Sequence, residues 1–198
     1  MKTLLLIFTL ALTFNGYSYA STNKVNPPID TIKLRVDSNN NTYYQKSVKV
    51  APNLMASQIY ERTLQFMAAK NFVQTYGDDQ QWKLIFTTSQ DLNINTVYVG
   101  DDNDEVDQYA VQFAITVDMR NGRYRYTINN VLFFLPAGSY NKRETLFDVY
   151  VKATNTESKR VAKNNKLLLA SFERYLATLT DELHQGIEQK AVMYNPKF

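Results

Sequence analysis

The stretch that decides the fold is residues 113–128, which read FAITVDMRNGRYRYTI. Asn121 and Gly122 lie between two runs in which apolar and polar residues alternate, and this pattern predicts a β-hairpin with a two-residue type I′ turn. If Arg120 pairs with Arg123, one face of the hairpin carries apolar residues on both strands. Its predicted pairs are Met119–Tyr124, Val117–Tyr126 and Ile115–Ile128.

The other face of the hairpin is polar in the same register. Asp118 meets Arg125, a pair of opposite charges, and Thr116 meets Thr127, a pair of hydroxyls. Both kinds of pair are favourable between neighbouring strands. The hairpin is therefore predicted to bury one face and to expose the other.

The alternation breaks farther along the second strand. The register places Phe113 opposite Asn130 and interrupts the apolar face. One extra residue in this strand would restore that face, so we expect a β-bulge there. The residues expected to return to the buried side are Val131, Phe133 and Leu135, with Tyr109 on the same side of the first strand.

The segment before this hairpin contains a further hairpin and a helix. Alternation over residues 31–50, interrupted by an Asn-rich turn, predicts two antiparallel strands. Apolar residues at spacings of three and four predict a helix over residues 54–72, with Asn53 as its N-cap. We expect a turn at residues 76–79 and a strand from Trp82.

The remaining elements follow from the same patterns. Residues 95–99 are predicted as a short strand, with the acidic run 101–105 as the loop after it. Residues 146–151 fit a strand or a short helix, and their β-branched and aromatic content favours the strand. Capping-box spacing at residues 154–157 precedes an apolar stripe that predicts a long helix over residues 157–190. The expected fold class is α+β, with a curved antiparallel sheet packed on one face by two helices.

The N-terminus has the features of an export signal. Lys2 precedes an apolar run of eleven residues, and Ser18 and Ala20 provide the small side chains of a signal-peptidase site. The run is too short to span a bilayer core, which needs about 20 residues. We expect cleavage after Ala20, a flexible leader over residues 21–30, a single domain over residues 31–198, and a periplasmic or secreted product without a transmembrane segment.

Four stretches together resemble a known family. They are residues 44–50, residues 58–62, residues 109–116 and the hairpin sequence of residues 121–128. Their sequences are similar to an exported bacterial domain of unknown function, abundant in Bacteroidota, that is described as having a TBP-like fold. The resemblance covers roughly residues 43–135. It implies the TBP-like fold and an envelope or secreted setting, and it brings no catalytic residue with it.

Composition restricts the chemistry of the protein. The chain has 198 residues, no Cys and a single His, which excludes disulfides, thiolate metal sites, a Cys nucleophile and a lipid-modified N-terminal Cys. His184 has no second imidazole to work with and is interpreted as a surface residue. The acidic run Asp101–Asp107 lacks the Gly and bidentate Glu of a calcium loop. We expect no metal and no cofactor.

Two other surfaces are candidates for binding. Basic residues of the last helix, with Lys142, Arg143 and Lys152 nearby, fit anionic lipid or acidic glycan, but a solvated helix face is the preferred interpretation. These helix residues are Lys159, Arg160, Lys163 and Lys166. Exposed tyrosines suit stacking on sugars. The unplaced ones are Tyr43, Tyr76, Tyr98 and Tyr140.

The polar face of the sheet is the preferred binding site. An antiparallel sheet covered by helices on one side keeps its other face in water, where it is available to a partner. The candidate residues are Gln112, Thr116, Asp118, Arg123, Arg125 and Thr127, with Asn129 at their edge. The sequence favours a non-catalytic domain that binds a protein, peptide or envelope component. Export and a net charge of only +2 after signal removal argue against nucleic acid.

Two further hypotheses remain open. Asp and Glu are the abundant acid–base groups of the chain, so a hydrolase with paired carboxylates is one alternative. A calcium-dependent adhesion module is the other.

Overall fold

The computed structural model describes residues 33–99, 104–134 and 143–189. These residues form β1 (Leu34–Val36), β2 (Thr42–Lys49), α1 (Ala56–Ala69), β3 (Val73–Asp78), β4 (Lys83–Val99), β5 (Asp104–Arg120), β6 (Arg123–Phe134), β7 (Arg143–Thr145), α2 (Leu146–Asn155) and α3 (Lys159–Glu188). The predicted signal and leader, residues 1–30, lie outside the described residues, so both stay predictions.

The described strands form one antiparallel sheet in the order β1-β2-β6-β5-β4-β3, and β7 pairs with the far end of β6. The predicted α+β class with a curved antiparallel sheet is confirmed. The hairpin predicted over residues 31–50 is present as β1 and β2, joined by a turn in which Asp37 accepts bonds from the backbone N–H groups of Asn39 and Asn41.

The central hairpin has the register derived from its sequence. Met119 pairs with Tyr124, Val117 with Tyr126 and Ile115 with Ile128, and all six side chains are buried. The predicted β-bulge is also present. The pairing of β5 with β6 shifts between Gln112 and Ala114, and Asn130 takes a φ of 52°. Val131 and Phe133 consequently return to the core.

The turn of this hairpin differs from the predicted type I′. That type needs positive φ at both central residues, but in this turn only Gly122, with φ 71°, takes one. The turn is held instead by the segment that leads into α1. Gly122 N–H donates to the Leu54 carbonyl at 2.9 Å, and the Gly122 carbonyl accepts from Val50 N–H at 3.0 Å.

The same docking changes how α1 begins. Asn53, the predicted N-cap, is exposed, and the structure places the N-cap at Met55. The Asn121 side chain accepts a hydrogen bond from Ala56 N–H at 2.9 Å, so a residue of the hairpin satisfies a donor at the helix start. Gln58 reaches back to accept from Met55 N–H at 3.0 Å.

All three helices pack against one side of the sheet or against each other, which leaves the other side open. Phe172 of α3 is fully buried and makes edge-on contacts with rings of three strands. Ring centroids lie 6.0 Å away for Tyr44, 5.8 Å for Phe113 and 5.4 Å for Phe133. The long helix expected over residues 157–190 is confirmed as α3, and its aromatic contacts join β2, β5 and β6 to one core.

Two predictions for the region before α3 are wrong. Residues 146–151 belong to α2 instead of a strand, because Thr145 and Asp148 form a capping box and three residues spaced along the helix reach the core: Leu146, Val149 and Ala153. The capping-box spacing at residues 154–157 does not start α3. The N-cap of α3 is Ser158, whose hydroxyl accepts a hydrogen bond from Val161 N–H.

The region before β5 also departs from expectation. Residues 76–78, expected as part of a turn over residues 76–79, form the end of β3, which pairs with β4, and the turn begins only at Asp79. Residues 95–99 form the end of β4 instead of a separate strand, and their pairing with β5 resumes after a register shift. Asp104 and Glu105, expected in a loop, begin β5, whereas residues 101–103 lie outside the described residues.

Replacing Asn121 with Ala is expected to lower the free energy of unfolding by about 1 kcal/mol, because the Ala56 N–H loses its acceptor. The matched control is Asn53→Ala, which removes the residue that sequence alone names as the cap. It should leave stability unchanged. Urea denaturation of the two variants measures both effects, and equal losses would refute the capping role of Asn121.

Two neighbouring residues of β5 should differ in how strongly a change in side-chain polarity affects the stability of the protein. Ile115→Thr places a hydroxyl in the buried layer and should cost at least about 2 kcal/mol. Thr116→Val lies on the open side and should change stability by no more than about 0.5 kcal/mol. Denaturation midpoints test this, and a reversed order would mean that the two faces are assigned wrongly.

Candidate functional site

The candidate site is the open face, defined as the side of the sheet opposite the helices. The structure places all six predicted residues there. Gln112, Arg123 and Arg125 are exposed, and Thr116, Asp118 and Thr127 are half-buried. Asn129 is half-buried at the edge of this group. The sheet register therefore brings together the residues that the sequence nominated.

Residues paired across strands share a face, so the register orders the open face into rows. The row nearest the hairpin turn crosses β2, β6 and β5 and consists of Lys49, Arg123 and Arg120. The next row crosses β2, β6, β5, β4 and β3 and consists of Ser47, Arg125, Asp118, Lys83 and Asp78.

Charged side chains dominate these two rows. Uncharged polar side chains dominate the next row along the strands, called here the third row. Arg125 and Asp118 form an ion pair at 3.0 Å between strands. In the third row, Gln45 donates from Nε2 to the Thr127 hydroxyl at 3.0 Å, with Thr116 next to Thr127 on β5. The open face thus changes from basic at the hairpin end to neutral and hydrogen-bonding at its middle.

A concavity of about 360 Å³ occupies the basic end. It lies beside the hairpin turn and beneath the loop between β3 and β4. Side chains that define it are Ser47, Gln81, Asp118, Arg120, Arg123 and Arg125. Three guanidinium groups and one carboxylate thus line a recess on the open face.

A larger groove of about 910 Å³ lies at the other end of β6. The ladder between β6 and β2 ends at Ile128, and the ladder between β6 and β7 begins at Leu132. The groove follows this gap, between the β1–β2 turn and the start of α2. Its walls combine polar and apolar groups, including Tyr43, Gln45, Asn129, Leu132 and Phe147.

Carboxylates at the margins of the open face are held in the ionised form. The Asn41 side chain and two backbone N–H groups donate to Asp37 and lower the pKa of that carboxyl. Backbone N–H groups of Gln81 and Gln80 donate to Asp78 at 2.8 and 2.9 Å and lower its pKa. Both groups therefore carry fixed negative charge, Asp37 on the wall of the larger groove and Asp78 on the edge strand β3.

The hydrolase hypothesis requires a carboxyl with a raised pKa beside a second acid. Burial raises the pKa of Glu173 on α3, and its hydrogen-bond partner, at 3.4 Å, is the Tyr44 hydroxyl of β2. Within the described part of the chain, no second carboxylate contributes to this shift. Glu173 lies on the helix-covered side and not in either recess of the open face.

Metal and histidine sites receive no added support. Among the described residues, no group of three metal-ligating side chains lies close enough to hold an ion. The acidic side chains of residues 101–107 lie outside the described part of the chain. His184, interpreted from sequence as a surface residue, is half-buried on α3, and its buried Nδ1 atom has no hydrogen-bond partner among the described residues.

The other candidate surfaces are only partly described. Lys159, Lys163 and Lys166 share one side of α3, but Lys152 is engaged by Glu144 and Lys142 is not described. Within the described helices, none combines the length and apolarity needed to cross a membrane.

Of the tyrosines nominated for sugar stacking, the two whose side chains are described lie on different, non-adjacent strands and do not share a platform. Tyr43 lines the groove beside β6. Tyr76 is 44% exposed on β3, and its hydroxyl donates to Asp78 at 3.2 Å. The side chains of Tyr98 and Tyr140 lie outside the described residues.

Sequence reasoning missed four residues of the basic end: Ser47, Lys49, Lys83 and Arg120. Arg120 could have been identified from the sequence, because the predicted hairpin register already pairs it with Arg123 on the open face. The other three come from β2 and β4, whose pairing with the hairpin is set by the tertiary fold. No local pattern in the sequence indicates that β2 and β4 pair with the hairpin.

Comparisons with known proteins agree with this architecture. A TBP-like protein from Parabacteroides distasonis superposes with a TM-score of 0.62 at 12% identity, over 77% of this chain and 96% of that one. A DUF4468 family protein from Bacteroides ovatus gives 0.58 at 11% identity, over 81% and 94%. No curated protein matches the chain. The family resemblance noted in the sequence is confirmed, because residues 44–134 match the model of the domain of unknown function DUF4468 with TBP-like fold.

Proposed function

We propose that the protein is an exported, non-catalytic domain that binds a protein, peptide or envelope component through the open face. The observation that carries the proposal is the contrast between the two sides of β5 and β6. One side is closed by helices, whereas the other presents hydrogen-bonding side chains beside two recesses. An uncovered sheet face of this kind offers a partner both shape and directional polar contacts.

The third row of the open face, which contains Gln45, Thr127 and Thr116, is the part best suited to bind a partner. Thr116 and Thr127 are half-buried neighbours on adjacent strands, and Gln45 already donates to the Thr127 hydroxyl. The row borders the groove of about 910 Å³, which adds apolar contact from Tyr43 and Leu132. A bound segment would therefore find polar and apolar groups within one continuous surface.

Recognition by this face is tested with the triple variant Thr116→Val, Arg125→Gln and Thr127→Val. It should abolish recovery of the partner after crosslinking in the native host, while the melting temperature stays within a few degrees. The matched control changes the same residue types on exposed helix positions, namely Arg174→Gln, Thr154→Val and Thr178→Val. Unchanged recovery with the triple variant would refute the proposed function.

Export is tested separately. The mature protein should begin at Ser21 and should be found outside the cytoplasm, because the predicted signal is removed after Ala20. Mass spectrometry of the N-terminal peptide from fractionated cells measures both properties. A chain that retains residues 1–20 in the cytoplasmic fraction would contradict the proposal.

A further inference from the structure

The row nearest the hairpin turn has an unusual charge arrangement. Lys49, Arg123 and Arg120, called here the cation row, are directly opposed on three adjacent strands. Opposed residues of antiparallel strands have Cα atoms about 4.5–5.5 Å apart. Like charges in such positions destabilise a sheet. The fold thus keeps three positive charges together at an energetic cost.

Nearby carboxylates do not neutralise the cation row. Within the described part of the chain, none of its three members makes an ion pair or a side-chain hydrogen bond. Asp118 is the carboxylate in the adjacent recess, and it pairs with Arg125. The side chains of the row are exposed and remain available to an anion from outside.

We infer that the basic end of the open face binds the carboxylates of an acidic segment of a partner protein. This inference rests on the proposed function and names the chemistry of the partner. A guanidinium group presents paired N–H donors that match the two oxygens of a carboxylate. Arg120 and Arg123 line the recess of about 360 Å³ together with Ser47 and Gln81, which add neutral hydrogen-bonding groups.

The arrangement fits an acidic protein segment better than nucleic acid. The three cations of the row match a few carboxylates, whereas the phosphate backbone of a duplex carries a charge about every 1.7 Å along its axis. Asp118 and Asp78 lie in the adjacent row and would repel a continuous phosphate backbone. Tyr124, the tyrosine beside the row, faces the buried side and is only 1% exposed, so it offers no base a stacking surface.

The test measures binding of a fluorescent hexaglutamate peptide to the purified chain by anisotropy. Arg120→Gln with Arg123→Gln should weaken binding by about tenfold or more, because two charge-assisted contacts are lost. The matched control, Lys159→Gln with Lys163→Gln, removes the same charge from an exposed helix surface and should change affinity by less than about twofold. The Arg120→Gln, Arg123→Gln variant should also have the same melting temperature as the wild type or a higher one, because the repulsion between like charges is relieved.

Three comparative results in the peptide assay would overturn the inference. They are an equal loss of affinity in both double variants, equal binding of a hexaglutamine peptide, and tighter binding of a short DNA duplex than of hexaglutamate. Absence of hexaglutamate binding to the wild type would overturn it as well. If the open face still captures a partner in the Arg120→Gln, Arg123→Gln variant, the inference fails and the proposed function stands. If the Thr116→Val, Arg125→Gln, Thr127→Val variant captures as much partner as the wild type, the proposed function itself fails.

Discussion

The contact on which the rest of the structure depends is the docking of the Asn121–Gly122 turn against the segment that enters α1. Gly122 exchanges backbone hydrogen bonds with Val50 and Leu54, and the Asn121 side chain accepts from the first turn of the helix. The end of β2, the start of α1 and the central hairpin are therefore fixed to one another at a single point. This junction sets the position of α1 on the sheet and leaves the hairpin end of the opposite face uncovered.

Most of the central sheet could be predicted because the pairing of its strands depends on residues that are close together in the sequence. The two strands of the hairpin are adjacent in sequence, one assumed pair at the turn determines the pairs as far as Ala114–Asn129, and the break in alternation beyond them locates the bulge near Asn130. The turn type was not predictable in this way. It depends on hydrogen bonds with residues 50–56, which lie more than sixty positions away in the chain.

The wrong assignments have similar physical causes. β3 was missed because it is an edge strand whose side chains are almost all exposed, so its sequence carries no alternation of apolar and polar residues. α2 was taken for a strand because β-branched and aromatic residues favour strands when considered alone, while the cap formed by Thr145 and Asp148 sets the helix. For the site, sequence located the polar face on β5 and β6, but the cations from β2 and β4 became neighbours only through pairing of distant segments.

β3 has one further consequence for the behaviour of the molecule at high concentration. An exposed edge with Val73 63% and Tyr76 44% accessible is a surface on which other chains can add and aggregate. Here the register of β3 shifts between Gln74 and Tyr76, and the Thr75 hydroxyl bonds to the Ile85 carbonyl across the irregularity. A straight incoming strand cannot match such a broken edge along its whole length. The irregularity thus limits the length over which a second chain could pair with this margin of the sheet.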